Sequence, residues 1–288
     1  MPKLPNRKQT DELLDFAEGV ARRAGAKVRE LRQRELVVDR REHHDIKLEA
    51  DRASETIVMG AIGDSFPGHA ILSEEAGVSG PRDAEFIWVI DPLDGTANFA
   101  RALPHFCVSI GCVCGDALCA GVIYDPMREE IYRAAPGRPA ERNGSPIRAS
   151  ETKRLDEALI LVGFGNVTAH LSRDMAIWHE VIFRASKGRS TGSAALDMGF
   201  VAGARADAYF ECGINAWDVA AGTVILESAG GCVRLLHLEG VRFDILASNA
   251  PLHPELEKIL DKVNPDSAGA SVAGIIRKIL NGEIAWDA

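Results

Sequence analysis

The stretch Trp88-Val89-Ile90-Asp91-Pro92-Leu93-Asp94-Gly95-Thr96-Ala97-Asn98-Phe99 places two carboxylates three positions apart directly after an apolar run. Two acids at the end of a buried strand call for a cation. Pro92 fixes one backbone angle and withdraws one donor, and Gly95 allows a tight turn, so both carboxylates and the Leu93 carbonyl can face one point. All-oxygen ligation of this kind suits a hard ion such as Mg²⁺. Beyond the second acid, the amides of Gly95 and Thr96 stand near the start of any following helix, where unpaired N–H groups and the dipole favour a phosphate. One turn thus holds the parts for metal and phosphate together. An EF-hand loop counted from Asp91 fails, because its twelfth position is Ala102 instead of Glu.

Further acids come from other segments. Singly, Glu74-Glu75 after the run 70–72 reads as a solvated loop pair and Asp51 as an exposed helix residue. Asp218 reads as an acid in a helix's first turn, with Asn215 as its cap. Together they complement Asp91 and Asp94 as a site for two or three divalent ions requires. His43-His44 lies in a polar loop, reads as solvated and is left out of the site. Gly163-Phe164-Gly165 follows a strand as a dinucleotide fingerprint would, but Thr168 stands at its third glycine position, and a Walker A motif is absent.

The elements that must position these residues follow from periodicity. Apolar residues recur at helical spacing over 11–34 and again over 49–62, which Phe66-Pro67-Gly68 ends. Residues 35–44 carry charge without a period. Runs 70–72 and 86–90 read as buried strands delivering acids at their C-terminal ends, and 106–124 as two strands folded about Gly115-Asp116. The stretch 136–150 carries turn chemistry at Glu141-Arg142-Asn143-Gly144-Ser145-Pro146 and is the candidate domain division. Beyond it come a strand at 158–162, a small-residue helix at 192–201, a strand at 206–210 and a helix at 216–228 closed by Gly230-Gly231. The expected organisation is a metal- and phosphate-binding part over 1–148, an α/β part over 149–265, and a tail over 266–288 whose stripe Val272, Ile275, Ile276, Ile279, Leu280 docks as a last helix.

Composition narrows the class. The 288 residues, 46% hydrophobic and 26% charged, are those of an ordinary globular protein. A net charge of -9 argues against a nucleic-acid partner, which clustered Lys and Arg would serve. The polar start 1–10 lacks the apolar core of a secretory signal, and no apolar run reaches about 18 residues, so the expectation is a cytoplasmic protein without a membrane role. Of the six cysteines, Cys107, Cys112, Cys114 and Cys119 fall within thirteen positions without C-x-x-C spacing, and read as buried reduced thiols.

Glu74-Glu75, then Asp91-Pro92-Leu93-Asp94-Gly95-Thr96-Ala97-Asn98-Phe99, then Ala216-Trp217-Asp218-Val219-Ala220-Ala221-Gly222 resemble the inositol monophosphatase family of lithium-sensitive, Mg²⁺-dependent sugar-phosphate phosphatases, in order and over about 11–257. The resemblance implies an αβαβα five-layered sandwich of the inositol monophosphatase and fructose bisphosphatase type, and a homodimer. It gives one Mg²⁺ to Glu74, Asp91 and the Leu93 carbonyl, a second to Asp91, Asp94 and Asp218, and a share in a third to Glu74. Thr96, oriented by Asp51, would position the attacking water. The Gly95 and Thr96 amides would bind phosphate, and Asp94, Gly192, Ser193, Ala194, Glu211 and Asp218 would meet the substrate's hydroxyls. In-line attack by water needs charge neutralisation and no Cys or Ser nucleophile.

The chain departs from the family in its first loop. Leu48 stands where the pattern has Thr three residues before Asp51, with Lys47 and Glu49 beside it, and 33–45 carries Arg34, Arg40 and Arg41 but no lysine. The implied activity is hydrolysis of a small phosphorylated metabolite. Asn98-Phe99 favours myo-inositol monophosphate over 3'-phosphoadenosine phosphate or histidinol phosphate, and fructose 1,6-bisphosphate stays open. The rivals from other classes are a non-catalytic, metal-dependent regulatory protein and a nucleotide-binding oxidoreductase built on the Gly163 region.

Overall fold

The computed structural model describes residues 5–33, 38–41, 46–164, 171–263 and 270–285. Helix α1 (Arg7–Leu31) starts ahead of its apolar stripe because Asn6 caps it: Gln9 N donates to Asn6 Oδ1 and Asn6 N to Gln9 Oε1, both at 3.0 Å. Within the charged stretch that shows no period, β1 (Val38–Arg41) is described, and it pairs antiparallel with β2 (Ile46–Leu48). β2 leads into α2 (Glu49–Ser65). His43 and His44 lie outside the described residues, as do Gly165 and Thr168.

Eight strands form the first sheet: β3 (Ala70–Ser73), β4 (Gly77–Ser79), β5 (Phe86–Asp94), β6 (Cys107–Cys114), β7 (Ala117–Asp125), β8 (Glu130–Ala134), β9 (Glu141–Arg142) and β10 (Ser145–Pro146), with the one-turn helix α3 (Thr96–Ala100) between β5 and β6. Their order is β10-β9-β8-β7-β6-β5-β3-β4, and β3 runs parallel to β5. The strand expected over 86–90 runs on to Asp94. Pro92 is accommodated inside it because the β5–β6 ladder shifts register between Asp91 and Asp94, where no amide is needed for pairing. Within 136–150, read as a turn-rich division, β9 and β10 make a hairpin through Asn143 (φ 51°) and Gly144 (φ 75°).

The second sheet takes β11 (Leu159–Val162), β12 (Lys187–Arg189), β13 (Ala208–Ile214), β14 (Gly231–Glu239) and β15 (Arg242–Asn249) in the order β12-β11-β13-β15-β14. Its helices are α4 (Leu171–Ile182), α5 (Ala194–Ala202), α6 (Ala216–Ser228) and α7 (His253–Val263); α8 (Val272–Leu280) closes the described chain.

Burial explains the layering. One face of the large sheet, with Trp88, Ile90, Val108, Ile110 and Val122, packs on the stripe of α1 and on Val58 and Ile62 of α2. Its other face shares a core with α5, α6, α8 and the inner face of the second sheet. The outer face of that sheet, with Ile160, Val162, Phe210 and Leu246, is covered by Ile177 and Val181 of α4 and by Leu256, Ile259 and Leu260 of α7. The result is the αβαβα five-layered sandwich. Between two sheets, α6 buries Ala216, Trp217 and every residue from Val219 to Leu226, and it is exposed only in its last turn at Glu227. It approaches the large sheet closely at the paired Gly111 and Gly121, where a Cβ would lie 3.0 Å from Ala220 Cβ and 2.5 Å from the Ala221 carbonyl oxygen. That approach brings Asp218 towards the acid-bearing end of β5.

Helix α8 buries Val272, Ala273, Ile275, Ile276, Ile279 and Leu280. Its Arg277 donates to the carbonyls of Ala84 at 2.7 Å and Gly115 at 2.6 Å. Among the described residues no helix is long and apolar enough to cross a membrane.

Candidate active site

Asp91 and Asp94, 2% and 8% exposed, sit where β5 loses register with β6. Each acid is anchored through one oxygen. Asp91 Oδ1 accepts the Leu93 amide at 3.0 Å. Asp94 Oδ2 accepts Ser193 Oγ at 2.6 Å, the Ala195 amide at 2.8 Å and Cys107 Sγ at 3.6 Å, so the start of α5 holds it. Asp218 Oδ2 accepts the Asn215 amide at 2.9 Å, which turns the expected cap around: the acid serves the cap residue's backbone, while Asn215 Oδ1 is buried with no partner among the described residues.

Glu74 follows β3, and Glu55 of α2 fixes its loop by accepting Ser73 Oγ and, at 2.9 Å, the Ala76 amide. Asp51 is buried. Its Oδ2 accepts the Leu48 amide at 3.0 Å and its Oδ1 the Thr96 hydroxyl at 3.1 Å, which also reaches the Leu93 carbonyl at 2.9 Å. Leu48, in place of a threonine, leaves α2 without a side-chain cap; it is buried among Val28, Leu31, Leu93, Phe99 and Phe106, and Asp51 closes the helix start alone. Gly95 must be glycine: φ is +92°, and a Cβ would meet the carbonyl oxygens of His105 at 2.9 Å and Gly192 at 3.2 Å.

Crowding these acids together changes their titration. Burial, then the neighbouring carboxylates, pushes Glu74 and Asp91 well above the usual range. Burial pushes Asp218 up to about 7, with Asp94 adding to it and Arg242 opposing it, and pushes Asp51 up to about 7. Asp94 is raised by burial, against its bonds to Ser193 and Ala195. Among the described residues no three His, Cys, Asp or Glu side chains already close on one point. The donor set nonetheless fits hard divalent ions: it is all oxygen and buried, with Asp91 and Asp94 2% and 8% exposed.

A cleft of about 330 Å³ opens beside these acids, lined among others by Glu74, Asp94, Gly192, Ser193, Ala194, Glu211, Asp218 and Arg242. The residues expected to meet substrate therefore share one space with the acids. Tyr209 donates its hydroxyl to Glu211 Oε2, and burial raises Glu211 to about 8. Gly163 leaves room for that carboxylate, since a Cβ there would fall 1.8 Å from Oε2; this is the local reason for the glycine that reads as part of a dinucleotide fingerprint. Asn98 is a clamp whose Nδ2 donates to the carbonyls of His105 and Thr191, both at 2.8 Å, and Phe99 packs edge-on against Phe106.

The sequence reading did not single out Glu55, Arg242 or the buried Asp197, which accepts the Thr191 hydroxyl. It treated Cys107 only as a small hydrophobe. The signal for Glu55 and Asp197 was an acid at a helix position facing a core, legible only once the helix faces are known. Among the described residues the six cysteines form no disulfide with one another, and five of them are buried.

The model of the inositol monophosphatase family matches residues 9–266. The chain is 42% identical over 220 residues to inositol-1-monophosphatase of Synechocystis, covering 75% of this chain and 77% of that protein. It is 37% identical over 228 residues to Nus factor SuhB of Pseudomonas aeruginosa, covering 77% and 84%. A solved inositol monophosphatase from Anabaena superposes with a TM-score of 0.78 at 39% identity, over 88% of this chain and 97% of that one. Acids on β5, after β3 and in the first turn of α6, gathered beside one cleft within this fold, agree with that match: the chain belongs to the inositol monophosphatase family.

Proposed function

We propose that the protein is a Mg²⁺-dependent phosphatase of a small phosphate monoester, with myo-inositol monophosphate as the leading substrate. The observation that carries this reading is that Glu74, Asp94 and Asp218 line one cleft, with Asp91 buried at the same end of β5 and the Thr96–Asp51 hydrogen bond following it in the chain. Glu74, Asp91 and the Leu93 carbonyl would hold one ion, and Asp91, Asp94 and Asp218 another, with Glu74 contributing to a third. When bound, Mg²⁺ supplies activation of water and neutralisation of charge on the phosphoryl and leaving oxygens. Ionised Asp51 accepts the Thr96 proton, which leaves the Thr96 oxygen lone pairs to orient the attacking water, with Glu74 steadying the same water. The left-handed turn at Gly95 presents the Gly95 and Thr96 amides to phosphate; α3 is a single turn, so these donors matter more than its dipole. Asp94, Gly192, Ser193, Ala194, Glu211 and Asp218 would receive the substrate's hydroxyls.

Fructose 1,6-bisphosphate, 3'-phosphoadenosine phosphate and histidinol phosphate are the alternatives within this chemistry. A second reading, a metal-dependent regulatory protein without turnover, is favoured by the relatives named Nus factor SuhB. Phosphate release from a panel of these esters, with and without Mg²⁺ and Li⁺, decides between them. Mg²⁺-dependent, Li⁺-sensitive turnover supports the phosphatase; retained Mg²⁺ binding without turnover supports the regulatory protein. The phosphatase reading carries a homodimer with it, which sedimentation at working concentration tests.

A further inference from the structure

We infer that Arg242 reads a second anionic group, so that among small phosphate monoesters the cleft prefers one carrying another phosphoryl or a carboxylate over its one-anion counterpart, inositol monophosphate included; this rests on the phosphatase reading above and refines its substrate. Arg242 opens β15 and lines the cleft together with Glu74, Asp94, Glu211 and Asp218. Among the described lining residues it is the only Lys or Arg. Its Nη1 donates to the Gly213 carbonyl at 3.1 Å, where the β13–β15 ladder shifts register between Glu211 and Ile214. That bond ties the half-buried guanidinium to the wall of the cleft.

Arg242 makes no salt bridge to any described carboxylate, although it lines the same cleft as Asp218. A guanidinium has five donors in a planar fork that matches a phosphate or a carboxylate. Here one donor is taken, and the rest have no partner among the described residues. The acids and small residues around the cleft suit cations and hydroxyl groups, whereas the fork suits an anion. A fixed positive charge beside Asp218 also weakens the hold of the acidic set on divalent ions. That cost is offset if an anion on the substrate meets the guanidinium.

The experiment uses two matched pairs: inositol 1-phosphate against inositol 1,4-bisphosphate, and glycerol 2-phosphate against 2-phosphoglycerate. For each pair, kcat/KM is measured in wild type and Arg242→Gln, and the ratio of two-anion to one-anion ester is compared. A charge-assisted hydrogen bond lost from a cleft lowers that ratio by about tenfold to a hundredfold. The pair with the larger fall tells a phosphoryl from a carboxylate. A ratio that Arg242→Gln leaves in place in both pairs overturns the inference, including the case where all four esters lose equally because Arg242 serves Asp218. If wild type releases no phosphate from any ester, the phosphatase reading fails by itself. Arg242 is then judged by calorimetric binding of the same four esters in Mg²⁺, where a ratio of affinities unmoved by Arg242→Gln overturns the role and a tenfold fall supports it.

Discussion

Replacing Ser193 with alanine deletes one hydroxyl from Asp94 and leaves the backbone of α5 in place. Asp94 Oδ2 has three donors: Ser193 Oγ at 2.6 Å, the Ala195 amide at 2.8 Å and the weak Cys107 Sγ at 3.6 Å. A hydrogen bond to a charged acceptor contributes about 1.5–3 kcal/mol. The Ala195 amide survives the change, so the lower end applies, about 1.5 kcal/mol or roughly tenfold in an equilibrium constant. The Ser193 bond favours the ionised carboxylate, against the upward push of burial. Without it the Asp94 pKa rises further, and a proton competes better with the cation. The Mg²⁺ concentration for half-maximal phosphate release should therefore increase, by at most about tenfold, and the defect should shrink as pH rises and the proton is lost anyway. The assay is phosphate release against Mg²⁺ at several pH values in wild type and Ser193→Ala, with thermal melts to check folding. An unchanged Mg²⁺ requirement, or a defect that widens with pH, would refute the reasoning.

Three further predictions concern stability. Gly95→Ala forces a left-handed residue with a Cβ 2.9 Å from the His105 carbonyl oxygen, and should cost about 2 kcal/mol or more by urea unfolding; a change below about 0.5 kcal/mol would contradict it. Arg277→Ala releases α8 from the Ala84 and Gly115 carbonyls and should cost about 2 kcal/mol while phosphate release well below the melting temperature persists, because α8 does not line the cleft. The metal-free protein should lose stability as pH rises from about 4 through 7–8. Asp51 and Asp218 are raised from 3.8 to about 7 and Glu211 from 4.5 to about 8, so the folded state binds more protons than the unfolded chain across that window. Mg²⁺ should flatten the decline, and melting curves with chelator or Mg²⁺ would show it; metal-free stability rising with pH over that window would count against the buried, uncompensated acids.

Much of this architecture is legible from residue spacing. The stripe of α1 and the small-residue run of α5 are visible because each helix must bury what it carries, and Asp91, Asp94 and Asp218 can be gathered from pattern alone. Strand β5 reads as ending at Ile90, where its apolar run stops; the register shift with β6 lets it continue through Pro92 to Asp94. β9 and β10 are two residues each, too short for period-two alternation to register. At the site, Asn98 looks like a specificity signal in the sequence and is a backbone clamp in the fold. Glu55, Cys107 and Asp197 act on the acids or the loops beside them through contacts between distant segments, which no local pattern encodes. Arg242 escapes notice for the same reason: its significance lies in the acids that surround it, which come from four other places in the chain.

The measurement that tests the central claim most directly is phosphate release from inositol 1-phosphate as a function of Mg²⁺ in wild type and Asp94→Asn, with Mg²⁺ binding followed by calorimetry in both. Asp94 joins the acid cluster to the start of α5, so the amide should abolish most turnover and weaken one class of Mg²⁺ site while the fold persists. Turnover that needs no Mg²⁺, turnover that Asp94→Asn leaves intact, or tight Mg²⁺ binding by wild type with no phosphate released would contradict the account.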